Sequence, residues 1–256
     1  MGRVEDEARK VFGERAAMYV TSATHKDPEV LARVVALAAP APGWRALDVA
    51  TGTGHTAFAL APHVASVVGI DLTPEMLAEA ERARAERGLA NVRFQVGDVH
   101  ALPFADGELD LVTSRRAPHH FRDIGRALGE MRRVLRPGGR LVIDDRSVPE
   151  DDFLDTTMNR LDWLHDESHV REYRPSEWRR MVTAAGFAVD AVEPYTSHRP
   201  IASLTARVSE GNVREIERIL AGLGAEQRAA FRLEEVGGVL HLNHWYVMLA
   251  ATATSA

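Results

Sequence analysis

The stretch that decides the fold of this chain reads Leu47-Asp48-Val49-Ala50-Thr51-Gly52-Thr53-Gly54-His55-Thr56-Ala57. Its apolar start predicts a buried strand, and the glycines that follow predict a tight turn that opens a helix. In such a turn a ligand can approach backbone that carries no side chain, and the helix N–H groups point toward a negative group. Because nucleotide-like cofactors bind where the strands of an open parallel sheet end, this turn predicts a cofactor site.

The glycine spacing argues against a dinucleotide site, which needs glycine at the first, third and sixth positions of the turn. Those positions hold Ala50, Gly52 and His55. The chain has instead an Asp-x-Ala-x-Gly-x-Gly pattern, in which Asp48 lies inside the end of the strand. This spacing disfavours an NAD-dependent oxidoreductase, which stays an alternative at this stage.

Further apolar runs along the chain end in polar residues that suit an adenosine. The run Val67-Val68-Gly69-Ile70-Asp71 ends in a carboxylate that is well placed to accept hydrogen bonds from both ribose hydroxyls, and Leu72 follows it. After the next run, Asp98 offers an acceptor for an adenine amino group, and Val99 begins an apolar loop suited to the adenine faces. Ser114 ends the fourth run.

Strands and helices alternate from Trp44 to Asp144, which predicts a parallel sheet covered by helices on both faces. The phrases LDVATGTG, VVGIDLTPEML, GDVHALPF, LDLVTSRRAPHHF and RVLRPGGRLVI together resemble the class I S-adenosylmethionine (SAM)-dependent methyltransferases. The branch they resemble most includes the ubiquinone and menaquinone C-methyltransferases. The resemblance covers about residues 44 to 146, with several motifs in the right order.

The resemblance implies an α/β, Rossmann-like fold with a seven-stranded, mostly parallel sheet in the order 3-2-1-4-5-7-6. The last inserted strand would be antiparallel, and a helical insertion would separate strands six and seven. SAM would be the methyl donor and S-adenosylhomocysteine the product. The expected cofactor-binding residues are Asp48, Ala50, Gly52, Gly54, Asp71, Leu72, Asp98, Val99, Ser114 and Tyr19, the last on a segment that resembles the family's entry helix.

We expect one methyltransferase domain over residues 1–256, with the substrate side outside the core. The expected segments are N-terminal helices over 1–40, a SAM-binding core over 44–146, a lid-like insertion over 148–175 and a helical cap insertion over 195–238. The cap insertion is long enough to cover the site or to form a dimer contact, and both roles stay open. Ser176 is expected to cap the helix that follows the lid.

Two histidines of the lid, His165 and His169, have the spacing of metal ligands on one helix face. Since no third ligand accompanies them, we expect a substrate lid and no metal site.

The loop after the fourth strand contains the candidate catalytic residues His119 and His120. Pro118 holds the preceding residue extended and so fixes how the two rings are presented. A neutral histidine can accept a proton from the acceptor as the methyl group is transferred. We expect His119, ahead of His120, to face the pocket, the alternative being a helix cap. Whether the neighbouring Arg115 and Arg116 face the pocket, which would favour an anionic substrate, stays open.

Global properties narrow the class of partner. The chain has 256 residues, a formal net charge of −6 and no cysteine, so neither a broad basic face for nucleic acid nor a thiolate metal site is expected. No apolar run of 18 residues occurs, so we expect a cytoplasmic protein without membrane insertion. The sequence therefore predicts in-line transfer of a methyl group from SAM to a small molecule. Carbon, oxygen and nitrogen acceptors stay open, and so does a SAM-binding regulatory protein without activity.

Overall fold

The computed structural model describes residues 12, 13, 15–20 and 22–255. Residues 12, 13 and 15–20 are helical, in keeping with the helices expected over 1–40. The remainder of that expectation, on residues 1–11, 14 and 21, lies outside the described residues.

A mostly parallel sheet forms the centre of the molecule. In the described residues its strands are β1 (Arg45–Val49), β2 (Ser66–Asp71), β3 (Val92–Val96), β4 (Leu109–Arg115), β5 (Leu135–Ser147), β6 (Phe187–Pro200), β7 (Glu234–Val236) and β8 (Val239–Ala253). The strands are arranged in the order β3-β2-β1-β4-β5-β8-β6, and β7 pairs with β8. The first five pair in parallel, whereas β8 is antiparallel to both of its long neighbours. The predicted strand order is thus confirmed, with β8 as the predicted strand seven and the short β7 as an additional strand.

Helices cover both faces of the sheet. They are α1 (Ala23–Lys26), α2 (Pro28–Ala38), α3 (His55–Leu60), α4 (Pro74–Glu86), α5 (Ile124–Val134), α6 (Asp152–His165), α7 (Pro175–Ala184), α8 (Ala202–Thr205), α9 (Glu210–Ala221) and α10 (Ala225–Ala230). Within the described ranges, none of these helices combines the length and the apolar character that crossing a bilayer requires.

Two hydrophobic clusters bury the two faces of the sheet. Leu47 of β1 packs in the cluster that contains Trp178 of α7, whereas its neighbour Ala46 packs with Phe58 of α3. Successive strand residues point to opposite faces, so a strand that is apolar at nearly every position is the mark of a sheet covered on both sides. This burial fixes the carboxyl ends of β1, β2, β4 and β5 along one edge, where the loops of the site emerge.

A third hydrophobic cluster lies beyond the sheet, between α6 and the insertion that contains α8, α9 and α10. Met158 and Leu161 of α6 are fully buried there against Leu204, Ile216 and other apolar residues of the insertion. The lid segment and the cap insertion therefore share one core and form a single layer over the end of the sheet.

Two predicted boundaries are wrong. Strand β6 runs on to Pro200, so the cap insertion begins at residue 201 and not at 195. Ser176 does not cap α7, because the helix starts one residue earlier, at Pro175, with Arg174 as its N-cap. The residue before a proline is held extended, which places the helix boundary at Arg174. The hydroxyl of Ser176 donates instead to Glu150 Oε2 at 2.7 Å.

Candidate active site

A buried carboxylate, that of Asp48, holds the turn after β1 in place. Asp48 is almost fully buried and accepts hydrogen bonds from the hydroxyls of Thr51, at 2.6 Å, and Thr113, at 2.7 Å. Burial raises the pKa of Asp48 to about 6, although both hydrogen bonds favour the ionised form. Asp48 therefore holds the turn to the neighbouring strand β4, and it also lines the cavity above the turn.

The backbone of the turn adopts conformations that favour glycine. Ala50 and Gly52 have φ values of 52° and 53°, in the left-handed region. A Cβ built on Gly52 would meet no atom within 4 Å, so the backbone of this residue faces open space. A positive φ is costly for alanine and not for glycine, so Ala50 holds a strained position of the turn.

Asp71 ties the carboxyl ends of β1 and β2 together. Its Oδ2 accepts a hydrogen bond from the Gly52 N–H at 2.9 Å, and its Oδ1 accepts one from the Thr73 N–H at 2.9 Å. Burial raises the pKa of this carboxyl above its usual value, and the backbone hydrogen bonds oppose that rise. Each carboxylate oxygen can accept a second hydrogen bond, so Asp71 is fixed in place with acceptor capacity remaining.

An inner cavity of about 140 Å³ lies above the turn. Seven of the ten predicted cofactor residues line it, namely Tyr19, Asp48, Ala50, Gly52, Asp71, Leu72 and Val99. The structure therefore brings together the polar end of β2 and the apolar loop after β3, as the sequence analysis expected.

The other three predicted cofactor residues do not line the inner cavity. Gly54 lies below the turn, where an added Cβ would come within 2.8 Å of the rings of Phe58 and Phe94. The hydroxyl of Ser114 donates to the carbonyl of Val49 at 3.0 Å. Asp98 accepts two hydrogen bonds from His100, from the backbone N–H and from Nδ1, both at 2.8 Å. A contact between Asp98 and adenine thus stays a prediction.

Arg115 is a lining residue whose orientation the sequence analysis left open. Its Nε donates to the hydroxyl of Thr56 at 3.0 Å, and its Nη2 donates to the carbonyl of His25 at 2.6 Å. The third nitrogen, Nη1, is buried, has no hydrogen-bond partner among the described residues and lies 4.0 Å from Asp144 Oδ2. A buried cationic donor with spare capacity at a cavity wall suits an anionic group.

The lining of the inner cavity fits the three parts of SAM. Asp71 offers acceptors for ribose hydroxyls, and apolar side chains such as Leu72 and Val99 suit the faces of adenine. The guanidinium of Arg115, in the wall of the same cavity, would suit the carboxylate of the methionine part. These residues are the ones that would hold the cofactor.

A second, outer cavity of about 530 Å³ adjoins the first. The residues that line both cavities are Phe12, Tyr19, His25, Arg116 and His120. The outer cavity is bounded by the lid and the cap, with His165, His169, Arg199 and Arg207 among its lining residues. A cofactor in the inner cavity would therefore meet a second molecule in the outer cavity.

His119 is a buried residue that lines the outer cavity, and its ring is paired with the carboxylate of Asp145. Its Nδ1 lies 2.6 Å from Asp145 Oδ1, and its backbone N–H donates to Asp145 Oδ2 at 2.7 Å. Burial lowers the pKa of His119 well below its usual value. Burial likewise raises the pKa of Asp145 to about 7. A carboxylate that accepts the Nδ1–H of an imidazole leaves Nε2 as the unprotonated, basic nitrogen of the ring.

Asp145 is a residue that the sequence analysis missed. Its only signal was its place at the carboxyl end of β5, next to the β4 end that carries the histidines. Parallel pairing of these two strands brings Asp145 to His119 across 26 positions of the chain.

His120 stands at the junction of the two cavities. Its Nδ1 lies 3.1 Å from both the carbonyl oxygen and the hydroxyl oxygen of Ser168, and its ring is 4.0 Å from the ring of His119. The expected alternative, a histidine that caps the next helix, does not occur, since Asp123 is the N-cap of α5. Phe121, which follows His120, packs in the hydrophobic cluster that contains Leu47.

The two lid histidines have separate hydrogen-bond partners. His165 Nδ1 lies 3.0 Å from the carbonyl oxygen of Leu204, and His169 Nε2 lies 3.0 Å from Asn159 Oδ1. The described part of the chain contains no group of three or more ligand side chains able to hold a metal ion. The lid is instead attached to the loop after β4, because the N–H groups of Val170 and Arg171 donate to the His119 carbonyl.

A buried ionic cluster joins β5 to the lid behind the outer cavity. Arg146 Nη1 lies 2.8 Å from Asp162 Oδ1, and Arg146 Nε lies 2.8 Å from Glu172 Oε1. Burial and the adjacent Asp162 raise the pKa of Glu172, while the guanidinium of Arg146 opposes that rise. Burial would raise the pKa of Asp162, but the same guanidinium lowers it overall, so the arginine compensates an ionised Asp162 on α6 and also contacts Glu172 on the lid.

The chain matches known methyltransferases in sequence and in fold. Residues 40–186 match the family model described as a methyltransferase domain. The chain is 39% identical over 184 residues to "Uncharacterized methyltransferase YcgJ" of Bacillus subtilis, spanning 72% of this chain and 73% of the relative. The crystal structure of YcgJ superimposes with a TM-score of 0.83 at 32% identity and covers 88% of this chain and 98% of that one.

A demethylmenaquinone methyltransferase of Thermus thermophilus is 50% identical over 113 residues, which are 43% of this chain and 51% of that enzyme. Family, relatives and fold agree with the lining of the inner cavity. The chain belongs to the methyltransferase-domain family and is a class I, SAM-dependent methyltransferase.

Proposed function

We propose that this methyltransferase acts on a small molecule bound in the outer cavity. The observation that carries the proposal is the adjacency of the two cavities, which share Tyr19, Arg116 and His120 in their walls. SAM supplies an electrophilic methyl group on a sulfonium. The chain would contribute alignment of the two molecules and exclusion of water, which are the main demands of a displacement in line.

We also propose that His119 is the base that accepts a proton from the acceptor. Its Nδ1 is held by Asp145, and its low pKa keeps the ring neutral near pH 7. A neutral ring with Nδ1–H directed to the carboxylate has Nε2 available as an acceptor. Such a base is needed only when the acceptor atom arrives protonated. His120, at the junction of the cavities, is the second candidate.

The acceptor is sought by measuring S-adenosylhomocysteine formation across a panel of small molecules with hydroxyl, amine or acidic carbon groups. One relative is named a demethylmenaquinone methyltransferase, so demethylmenaquinone belongs in the panel.

With an acceptor in hand, we expect His119→Ala to lower the methylation rate by about 10² or more, the usual contribution of a general base. The affinity for S-adenosylhomocysteine should stay unchanged, because His119 does not line the inner cavity. His63→Ala, at an exposed position, serves as the control. Wild-type turnover by His119→Ala would remove His119 as the base.

The insertion over residues 201–238 is proposed as a cap on the outer cavity. Its support is the shared core with α6 and the contribution of Ser203, Ala206 and Arg207 to the cavity wall. A homodimer and a cytoplasmic location stay predictions of the sequence. Sedimentation at several concentrations tests the first of them.

A further inference from the structure

We propose that the acceptor carries an anionic group, a carboxylate or a phosphate, which Arg199 and Arg207 bind on the cap side of the outer cavity. This inference rests on the proposed function, since it assigns the substrate class of the same cavity.

Arginine dominates the charged residues of the outer cavity. The arginines that line it are Arg15, Arg116, Arg146, Arg199 and Arg207. Two of them are compensated by buried acids: Arg116 Nε lies 3.2 Å from Asp144 Oδ2, and Arg146 lies against Asp162. The charges of these two arginines are already neutralised by protein carboxylates, so they contribute little to binding an anionic ligand.

The other three arginines have no carboxylate within ion-pair distance in the part of the chain that the structure describes. Among the described residues, Arg199 donates long hydrogen bonds to two neutral hydroxyls: from Nη1 to Tyr246 at 3.4 Å and from Nη2 to Thr24 at 3.3 Å. A guanidinium has five N–H donors in a planar fork that matches carboxylate and phosphate oxygens. Arg199 is therefore half-buried at a cavity wall with most of its donor capacity unused.

The histidines and carboxylates of the outer cavity do not neutralise the positive charge of these three arginines. Burial lowers the pKa of His25, His119, His165 and His169, so these rings are neutral near pH 7. The carboxylates on the wall are Asp162, which is paired with Arg146, and Asp166. Burial would raise the pKa of Asp166, but the neighbouring His120 ring and the hydrogen bonds from Ser168 lower it overall, so Asp166 is ionised. Three uncompensated arginines thus face one uncompensated carboxylate.

The backbone at Arg207 adds an independent observation. Arg207 has a φ of 63°, in the left-handed region that side chains rarely adopt. Of the five described non-glycine residues with positive φ, three line the two cavities: Ala50, Arg116 and Arg207. Backbone strain of this kind persists where the surrounding structure enforces it, and it clusters at ligand sites.

Thermal unfolding of the enzyme saturated with S-adenosylhomocysteine tests the inference, because the cofactor's own carboxylate is then already bound. The probes are inorganic phosphate, benzoate and its neutral counterpart benzamide, at constant ionic strength. We expect benzoate or phosphate to raise the unfolding midpoint in a saturable way and benzamide to leave it unchanged. Whether benzoate or phosphate has the lower dissociation constant identifies the anionic group.

In Arg199→Gln and Arg207→Gln, the anion should bind at least tenfold more weakly. Arg207 is exposed, so its variant has no core packing to lose and keeps the test independent of folding. Arg228→Gln, an exposed arginine of α10, is the matched control and should bind like wild type. Equal midpoints with benzoate and benzamide, together with no effect of phosphate, would overturn the inference, as would an anion effect that survives both variants.

Failure of the proposed methyl transfer and failure of the anion site give different experimental results. Loss of methyl transfer to every acceptor in a preparation that binds S-adenosylhomocysteine and the anion would contradict the proposed function and leave the anion site standing. Normal methyl transfer to neutral acceptors without any anion effect would contradict the anion site alone.

Discussion

At the scale of single residues, Asp71 joins the turn after β1 to the helix after β2. Its carboxylate holds the N–H groups of Gly52 and Thr73, and it lines the inner cavity. Hydrogen bonds to a charged group contribute about 1.5–3 kcal/mol each, and 1.4 kcal/mol is a factor of about ten in affinity. We therefore expect Asp71→Ala to weaken S-adenosylhomocysteine binding by well over tenfold in calorimetric titration.

Asp106→Ala provides the comparison, since that carboxylate is 82% exposed and remote from the cavity. Asp71→Asn, which keeps the shape of the side chain, separates loss of charge from loss of folding. An unchanged affinity in Asp71→Ala would remove Asp71 from the cofactor site.

The pairing of His119 with Asp145 predicts a pH dependence. Burial raises the pKa of Asp145 to about 7, so below that pH the carboxyl is protonated and can donate to Nδ1 of His119, which places the imidazole proton on Nε2 and removes the basic nitrogen. For an acceptor that needs a base, kcat/KM should rise as the pH increases through about 7. In Asp145→Asn the rate should fall and this inflection should disappear. A variant with the wild-type rate and pH profile would exclude a role for Asp145 in positioning the histidine.

Residues next to the strand ends could be predicted from the sequence, whereas their long-range partners could not. The turn around Gly52 and the acid at the end of β2 each follow from a local pattern of apolar run, glycine and carboxylate. Asp145 and Arg115 act through contacts with residues 26 and 90 positions away. No local spacing encodes such contacts without knowledge of the sheet pairing.

At the scale of elements, Arg146 links β5 to α6 and to the lid. Removing one partner of a buried ion pair leaves uncompensated charge in a low-dielectric interior, at a cost of about 3–5 kcal/mol. Arg146→Met keeps most of the side-chain volume but leaves Asp162 and Glu172 without their cation. We expect urea unfolding to show a loss of about this size.

Arg228→Met, on the exposed surface of α10, should change the free energy of unfolding by no more than about 0.5 kcal/mol. A loss below about 1 kcal/mol in Arg146→Met would mean that the buried acids are neutral or solvated and that the cluster does not hold the lid.

The elements of the core could be predicted well, and the length of β6 shows where prediction stops. The predicted cap insertion begins at residue 195, whereas β6 continues through Pro194 to Pro200. Strand β6 is the edge of the sheet, and an edge strand tolerates proline because one side of its backbone has no partner strand. Its register with β8, from Phe187 to Pro200, places Arg199 at the outer cavity.

At the scale of the whole molecule, the inner and the outer cavity adjoin at the carboxyl edge of the sheet. The parallel strands β1, β2 and β4 supply the inner cavity, and the lid and cap, with their own hydrophobic cluster, enclose the outer one. Closely similar cores serve many chemistries, so under the proposed function the acceptor is set by the outer layer, which is the lid, the cap and the end of β6. The arginines of that layer are therefore the residues in which relatives with other acceptors should differ.

The most direct test of cofactor binding in the inner cavity is thermal unfolding with S-adenosylhomocysteine and, separately, with NAD. A ligand at 100 times its dissociation constant stabilises the native state by about 2.7 kcal/mol, which raises the midpoint by several degrees in a protein of this size. We expect that rise with S-adenosylhomocysteine, its loss in Asp71→Ala and no rise with NAD. A rise with NAD alone would contradict the assignment of the cavity to SAM.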